Sequence, residues 1–386
     1  MNTKDFETKT TFIERNHAEA EGFWPVALDI GYSGVKGISP NSVFSFPSFA
    51  RKFTGEMLKA GEPDKKDIQY RANGEVWNVG YTAQANLASG DTNDGIASLF
   101  GRNRYFSQMF LVLARTGLAL GMMKNGHGNP NGKRLVLQTG LPPAYLKQDA
   151  PLLKEALSGD HDFEVRVGNG PWMHFGFTLT EDNIRIMSQP MGSLLSAAMD
   201  NECRQTPEAK DYFTKNVLIV DGGFGTVDVF SIKRRTMEPA QSFDNLGMKA
   251  VFEDASSEIY KKYGVDIPVH AFQRALRDGF ITRFNRKTRS TEELPFDDIL
   301  KASNEKICKE MLEKIDTMYD NLIDYNYLLI TGGTGAAWED IIREYYQGMK
   351  NLTVISGEQN DRLSPIFNNV RGYYLYLVEF LRKGGM

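Results

Sequence analysis

The sequence predicts an α/β chain made of two related domains, and three observations carry that reading. Apolar runs of strand length alternate with segments of helical periodicity, the pattern of strands covered by helices. The stretch "DIGYSGVK", starting at Asp29, is echoed by "DGGFGTVD", starting at Asp221. Each follows an apolar run, and the two share Asp first, Gly third and Val seventh, an internal repeat near the start of each half. Finally, 386 residues with 41% apolar content suffice for two ordinary cores.

The elements follow in order. Residues 1–24 form a charged, polar extension with no apolar core for a signal peptide. "PVALDIGYSGVKGI" (25–38) reads as strand, turn, strand. The polar stretch 59–84 suits a small α+β insertion, with "NGEVWNVG" a hairpin because Asn-Gly favours its turn. Residues 105–123 are helical; their apolar part, 110–123, is interrupted by Arg115 and too short to span a bilayer. "KRLVLQTGLPP" (133–143) reads as a strand stopped by Gly and a Pro pair, and 182–200 as a short strand and then a helix with Pro190 at its first position. In the second half, "VLIVDGGFGTVDVF" (217–230) is a strand, turn and strand, followed by helical stretches near 247–262, 269–278 and 296–322. Residues 327–346 read as strand, glycine turn and helix, and 368–383 as a closing amphipathic helix.

Composition excludes several classes. A net charge of −4 supplies no field to recruit nucleic acid or acidic lipid, so any link to DNA needs an adaptor. The basic "RFNRKTRS" (283–290) reads as a surface loop or filament contact. Two cysteines give no disulfide framework and point to a reducing, cytoplasmic setting. The five histidines are scattered without zinc-ligand spacing.

The repeated turns carry the chemistry. Glycine-rich turns leave backbone N–H groups unshielded and able to cradle phosphate. An aspartate beside them conflicts with that, since two like charges about 4 Å apart repel by roughly 4 kcal/mol at an effective dielectric of 20. Magnesium resolves the conflict by binding phosphate oxygens while keeping waters that carboxylates accept. The Walker A pattern is absent, and 222–225 lacks the GxGxxG spacing.

At these residues the sequence resembles the superfamily of actin, sugar kinases and heat-shock chaperone ATPases. "DIGYSGVK" is similar to its first phosphate motif, "DGGFGTVDV" to its second, and "ITGGTG" to its adenosine motif. Within it, "GEVWNVG" (74–80), "TGLPP" (139–143), "SQPMGSLL" (188–195) and "NNVRGYYLYL" (368–377) resemble ParM-type bacterial actins that segregate plasmids. The resemblance implies an actin-like fold, with two α/β domains of mixed sheet and flanking helices around a central nucleotide cleft. Domain I would span 25–188 with an insertion at about 46–104. Domain II would span 189–367 with a helical insertion at about 248–322, and 368–386 would return to domain I.

The resemblance also implies roles. Asp29 and Asp221 would hold the metal, and Ser33, Gly34 and Lys36 would contact phosphates. Gly222, Gly223, Phe224, Gly225 and Thr226 would wrap the β- and γ-phosphates. Gln189 would orient the attacking water, with Asp221 beside it in catalysis. Gly332, Gly333 and Thr334 would approach the nucleoside. Two features depart from relatives: the long extension before the first strand, and the bulky Phe224 in the second turn. The implied function is an ATPase (or GTPase) using Mg that polymerises head-to-tail and disassembles after hydrolysis. It would move plasmid DNA through a ParR-type DNA-binding adaptor, without itself touching nucleic acid or membrane. A small-molecule kinase and a non-hydrolysing nucleotide-binding scaffold are the alternatives.

Overall fold

The computed structural model describes residues 9–53, 64, 66–85, 102–123, 132–276 and 278–386. The chain divides into two compact units: Thr8–Pro207 with Asn360–Met386, and Glu208–Gln359. No helix among the described residues is long and apolar enough to cross a membrane.

The first unit contains β1 (Thr11–Glu14), β2 (Phe23–Ile30), β3 (Gly34–Ser39), β4 (Ser42–Pro47), β5 (Ala50–Lys52), β6 (Ile68–Ala72), β7 (Glu75–Val79), β8 (Arg134–Leu141), β9 (Gly159–Val167), β10 (Met173–Leu179) and β11 (Ile184–Ser188). Its main sheet runs β1-β4-β3-β2-β8-β11. Strand β2 is buried on both faces, which its unbroken apolar run requires. Val26, Leu28 and Ile30 join the core formed with helix Gln108–Met122, while Ala27 points to the opposite face among Tyr373 and Tyr374 of helix Asn368–Arg382. A second sheet runs β10-β9-β6-β7-β5. Its β6–β7 hairpin turns at Asn73 and Gly74, with φ of 50° and 75°, the left-handed pair that Asn-Gly favours. The expected insertion at 46–104 supplies β5, β6 and β7, but β9 and β10 complete this sheet from outside that range. Residues 54–63, 65 and 86–101 lie outside the described residues.

The extension is part of the fold. Strand β1 pairs antiparallel with β4 and forms the edge of the main sheet. Arg15 donates two hydrogen bonds to Asp361, at 2.8 and 3.0 Å, and Arg371 reaches the same carboxylate at 3.0 Å. Burial alone would raise the Asp361 carboxyl, but the two guanidiniums hold it below its usual range. Tyr374 Oη donates to Ala18 O at 2.7 Å and Arg382 to Glu19 O at 2.8 Å, so the start of the chain is tied to its last helix.

Strand β8 runs through Gly140 and ends at Leu141, directly before the Pro pair expected to help stop it. The glycine serves packing, because a Cβ there would collide with the Tyr373 hydroxyl. The first unit ends later than the boundary expected before Gln189. Helix Gln189–Ala198 packs on helix Asn368–Arg382 so closely that a Cβ on Gly372 would meet the Gly192 carbonyl.

The second unit contains β12 (Val217–Gly222), β13 (Thr226–Lys233), β14 (Thr236–Met237), β15 (Gln241–Asp244), β16 (Phe280–Asn285), β17 (Ser290–Pro295), β18 (Tyr327–Thr331) and β19 (Thr353–Ser356). Its sheet runs β14-β13-β12-β18-β19, with β15 also on β13. Helices Met248–Tyr263, Asp297–Met318 and Gly332–Tyr345 enclose a core around Phe252, Phe272, Phe296 and Trp338. The basic stretch 283–290, expected as a surface loop or filament contact, is the end of β16, its turn and the start of β17, in a two-stranded antiparallel hairpin.

The two sheets share one plan. In both β4-β3-β2-β8-β11 and β15-β13-β12-β18-β19, the first two pairings are antiparallel and the last two parallel. The repeat heard in eight residues is thus a repeat of five strands.

Candidate functional site

The repeated motifs occupy the same place in each plan, the hairpin between β2 and β3 and the hairpin between β12 and β13. Asp29 pairs across the ladder with Lys36, and Asp221 with Asp228, seven residues on in both cases. Each turn is closed by the same bond: Gly31 N–H donates to Gly34 O at 3.1 Å, and Gly223 N–H to Thr226 O at 2.9 Å.

In the first turn the carbonyls are held by the protein. Arg104 Nη2 donates to Ile30 O at 3.1 Å, Ser48 Oγ to Gly31 O at 2.7 Å and Ser48 N–H to Ser33 O at 3.1 Å. With acceptors engaged in this way, the turn has amides rather than lone pairs to offer an anion, which is what a phosphate cradle needs. Asp29, only 5% exposed, receives Lys36 Nζ at 3.4 Å on one oxygen and Gln189 Nε2 at 3.3 Å on the other. Gln189 reaches it because β11 ends at Ser188, extended backbone that caps the helix, and Pro190 fits the first turn. Asp29, Ser33, Gly34, Lys36 and Gln189 therefore form one group within one unit.

The second turn is built likewise. Gly223 O accepts from Met248 N–H at 3.4 Å and from Thr334 Oγ1 at 2.6 Å, and Phe224 O accepts from Lys249 N–H at 2.8 Å. The first amides of helix Met248–Tyr263, which have no partner inside their own helix, are spent on this turn. Gly247 permits the approach: a Cβ there would lie 2.5 Å from Phe224 O. The Phe224 ring packs toward the core, 6.1 Å from Phe252, so its bulk goes behind the turn while its backbone stays in it.

The "TGGTG" element turns tightly: β18 ends at Thr331, Gly332 takes a left-handed conformation, and the helix follows at once. Gly332 has φ of 78° and lies so near β12 that a Cβ would collide with Gly222 O and sit 2.5 Å from Asp221 Oδ1. Thr334 is fully buried, and its hydroxyl supports the second turn instead of facing outward. Asp221, Gly222, Gly223, Phe224, Gly225, Thr226, Gly332, Gly333 and Thr334 thus form a second group within the second unit. Asp228, 3% exposed, accepts from Thr226 Oγ1 at 3.4 Å and from Ser242 Oγ. Burial pushes its carboxyl up to about 6, against the lowering by those two hydroxyls, with Asp244 adding to the rise. Among the described residues no three of His, Cys, Asp and Glu converge as a dedicated metal cage would require.

Sequence reasoning missed Ser48, Arg104, Gly247 and Lys249. None lies in a motif; each is brought to a turn by tertiary packing.

Residues 27–192 match the family model described as the N-terminal domain of actin-like proteins. A ParM described as a pCBH non-polymerisable quadruple mutant superposes with a TM-score of 0.70 at 19% identity, covering 92% of this chain and 99% of its own. The chain has the actin-like fold. A 15-stranded ParM filament from Clostridium botulinum is similar to this actin-like chain with a TM-score of 0.69 at 18% identity, covering 94% of it and 99% of the filament subunit. An archaeal actin homologue in complex with ADP matches with a TM-score of 0.61 at 20% identity, covering 91% and 97%. No curated protein matches the actin-like chain in sequence.

Proposed function

We propose that this actin-like protein binds ATP (or GTP) with magnesium at its two turns, polymerises in that state, and loosens after hydrolysis. The observation that carries the reading is the duplicated hairpin, with a buried aspartate at the strand end and a turn closed by the same bond. Two such turns, each a phosphate cradle with a carboxylate beside it, suit a nucleotide's phosphates and the cation that comes with them. The relatives support the rest: one is described as a filament and one as a complex with ADP. Single buried carboxylates fit a hydrated cation that arrives with the phosphates. Asp29 and Asp221 would hold Mg through its waters, and the ion would neutralise charge on the phosphate oxygens.

The chain's own groups divide the remaining work. The turn amides and Lys36 bind and orient the phosphates. Asp29 takes the Nε2 end of Gln189, which leaves Oε1 to accept a hydrogen bond from the attacking water. An amide is too weak a base to remove that water's proton, so Gln189 positions and turnover is slow. Once the γ-phosphate is gone the turn contacts that depend on it are lost, a two-state switch set by one group. Head-to-tail contacts of one copy with the next form an open helical assembly. A small DNA-binding adaptor of the ParR type would couple growth to plasmid movement, in keeping with the acidic balance of this chain.

Light scattering and phosphate release, followed together after adding ATP and Mg, test this. Scattering that rises with ATP and decays as phosphate appears supports the filament. ADP production that needs a sugar and brings no scattering makes the protein a kinase. Nucleotide binding with neither signal makes it a scaffold.

A further inference from the structure

We infer that Arg104 is a positioning residue for the first turn, with a buried charge answered by the phosphates of the bound nucleotide. The inference rests on the nucleotide reading above and adds a residue outside every motif. Arg104 is 7% exposed, and its one hydrogen bond among the described residues goes to the Ile30 carbonyl, at the entrance to the turn. Its guanidinium lies 4.6 Å from the ring centre of Tyr32, a residue of the turn itself, and 5.5 and 5.7 Å from those of Tyr105 and Phe110. No carboxylate among the described residues forms an ion pair with it.

A guanidinium enclosed by three rings and one carbonyl has lost water without gaining a counter-charge, a costly arrangement. Ring faces and a carbonyl dipole offset only part of that. The missing negative charge is what the neighbouring turn is built to receive. Arg104 therefore fixes the turn from behind, through Ile30 and Tyr32, and adds a positive field under the phosphate site. Its effect grows with the number of phosphates on the ligand and is absent for the nucleoside alone.

Full-length wild type, Arg104→Met and Arg104→Lys are titrated with ATP, ADP and adenosine in the presence of Mg, and the melting temperature of each is taken without ligand. Arg104→Met is expected to weaken ATP by about tenfold or more, ADP by less and adenosine not at all. Its unliganded melting temperature should stay within about 2 °C of wild type, because removing a buried unpaired charge offsets the lost contacts. Arg104→Lys, which keeps the charge without the planar fork, should recover most of the ATP affinity. Unchanged ATP affinity in Arg104→Met overturns the inference. So does equal weakening of all three ligands with a lower unliganded melting temperature, which is the signature of mere structural support. A wild type that binds none of the three overturns the nucleotide reading, and this inference with it.

Discussion

Replacing Asp228 by Asn should make the protein more stable at neutral pH, and the gain should disappear in acid. Asp228 sits behind the second turn with two hydroxyls donating to it, and burial raises its carboxyl from the ordinary 3.8 to about 6. An acid with a raised folded-state value holds its proton more tightly when folded. Its contribution is therefore complete below pH 3.8, declines as pH climbs through 6, and is a constant penalty above that. A rise of about two units corresponds to about 3 kcal/mol at 1.36 kcal/mol per unit. Asparagine keeps the shape, accepts from Ser242 through Oδ1 and meets the Thr226 hydroxyl with Nδ2, but carries no charge. Urea unfolding of wild type and Asp228→Asn, from pH 4 to 8, measures the difference. The variant's advantage should grow by about 2.5 kcal/mol between pH 4 and pH 7 and then level off. A difference that is the same at every pH would refute the reasoning, since it would mean the carboxylate is not paying a burial cost in the folded state.

Gln189→Ala should slow phosphate release by roughly 10²-fold while ATP-induced scattering still develops, and unchanged release would remove Gln189 from the reaction. Thr334→Val removes the donor to Gly223 O and should cost about 1–2 kcal/mol in urea unfolding, together with weaker ATP binding. Gly332→Ala places a Cβ against Gly222 O at a φ of 78° and should lower expression of folded protein or the melting temperature sharply; a neutral outcome would mean that β12 and the helix start lie further apart. Arg15→Met leaves Arg371 on Asp361 and should cost about 1 kcal/mol, seen as a melting temperature lower by a few degrees.

How much of this could be read in advance varies with the kind of residue. The two Asp-turn hairpins were legible because apolar strands, glycines and a carboxylate are all local signals, and the β6–β7 turn was legible because Asn73-Gly74 names its own geometry. Strand β1 was not, since an edge strand with Phe12 and Ile13 exposed shows no core-facing alternation. The hairpin of β16 and β17 was hidden for a similar reason: of its two strands only Leu294 is buried, so no apolar face announces it. The packing role of Gly140 was not legible, because its cause is a tyrosine hydroxyl from a helix more than two hundred residues away. Within the site, the residues inside the motifs were found. The ones that hold the turns from behind, such as Ser48 and Arg104, come from segments whose local sequence says nothing of where they end up.

The pairing of the two chain ends has a consequence for biosynthesis. Among the described residues the second unit is one uninterrupted stretch, Glu208–Gln359, whereas the first draws on residues from Lys9 onward and on helix Asn368–Arg382. On the ribosome, the later-made unit can thus finish before the earlier one, which must wait with Ala18, Glu19 and Arg15 unclaimed until Asp361, Tyr374 and Arg382 have been made. A stalled or truncated product lacking helix Asn368–Arg382 would carry an open sheet face around Ala27, Val136 and Val43, the surface that newborn-chain chaperones are made to cover.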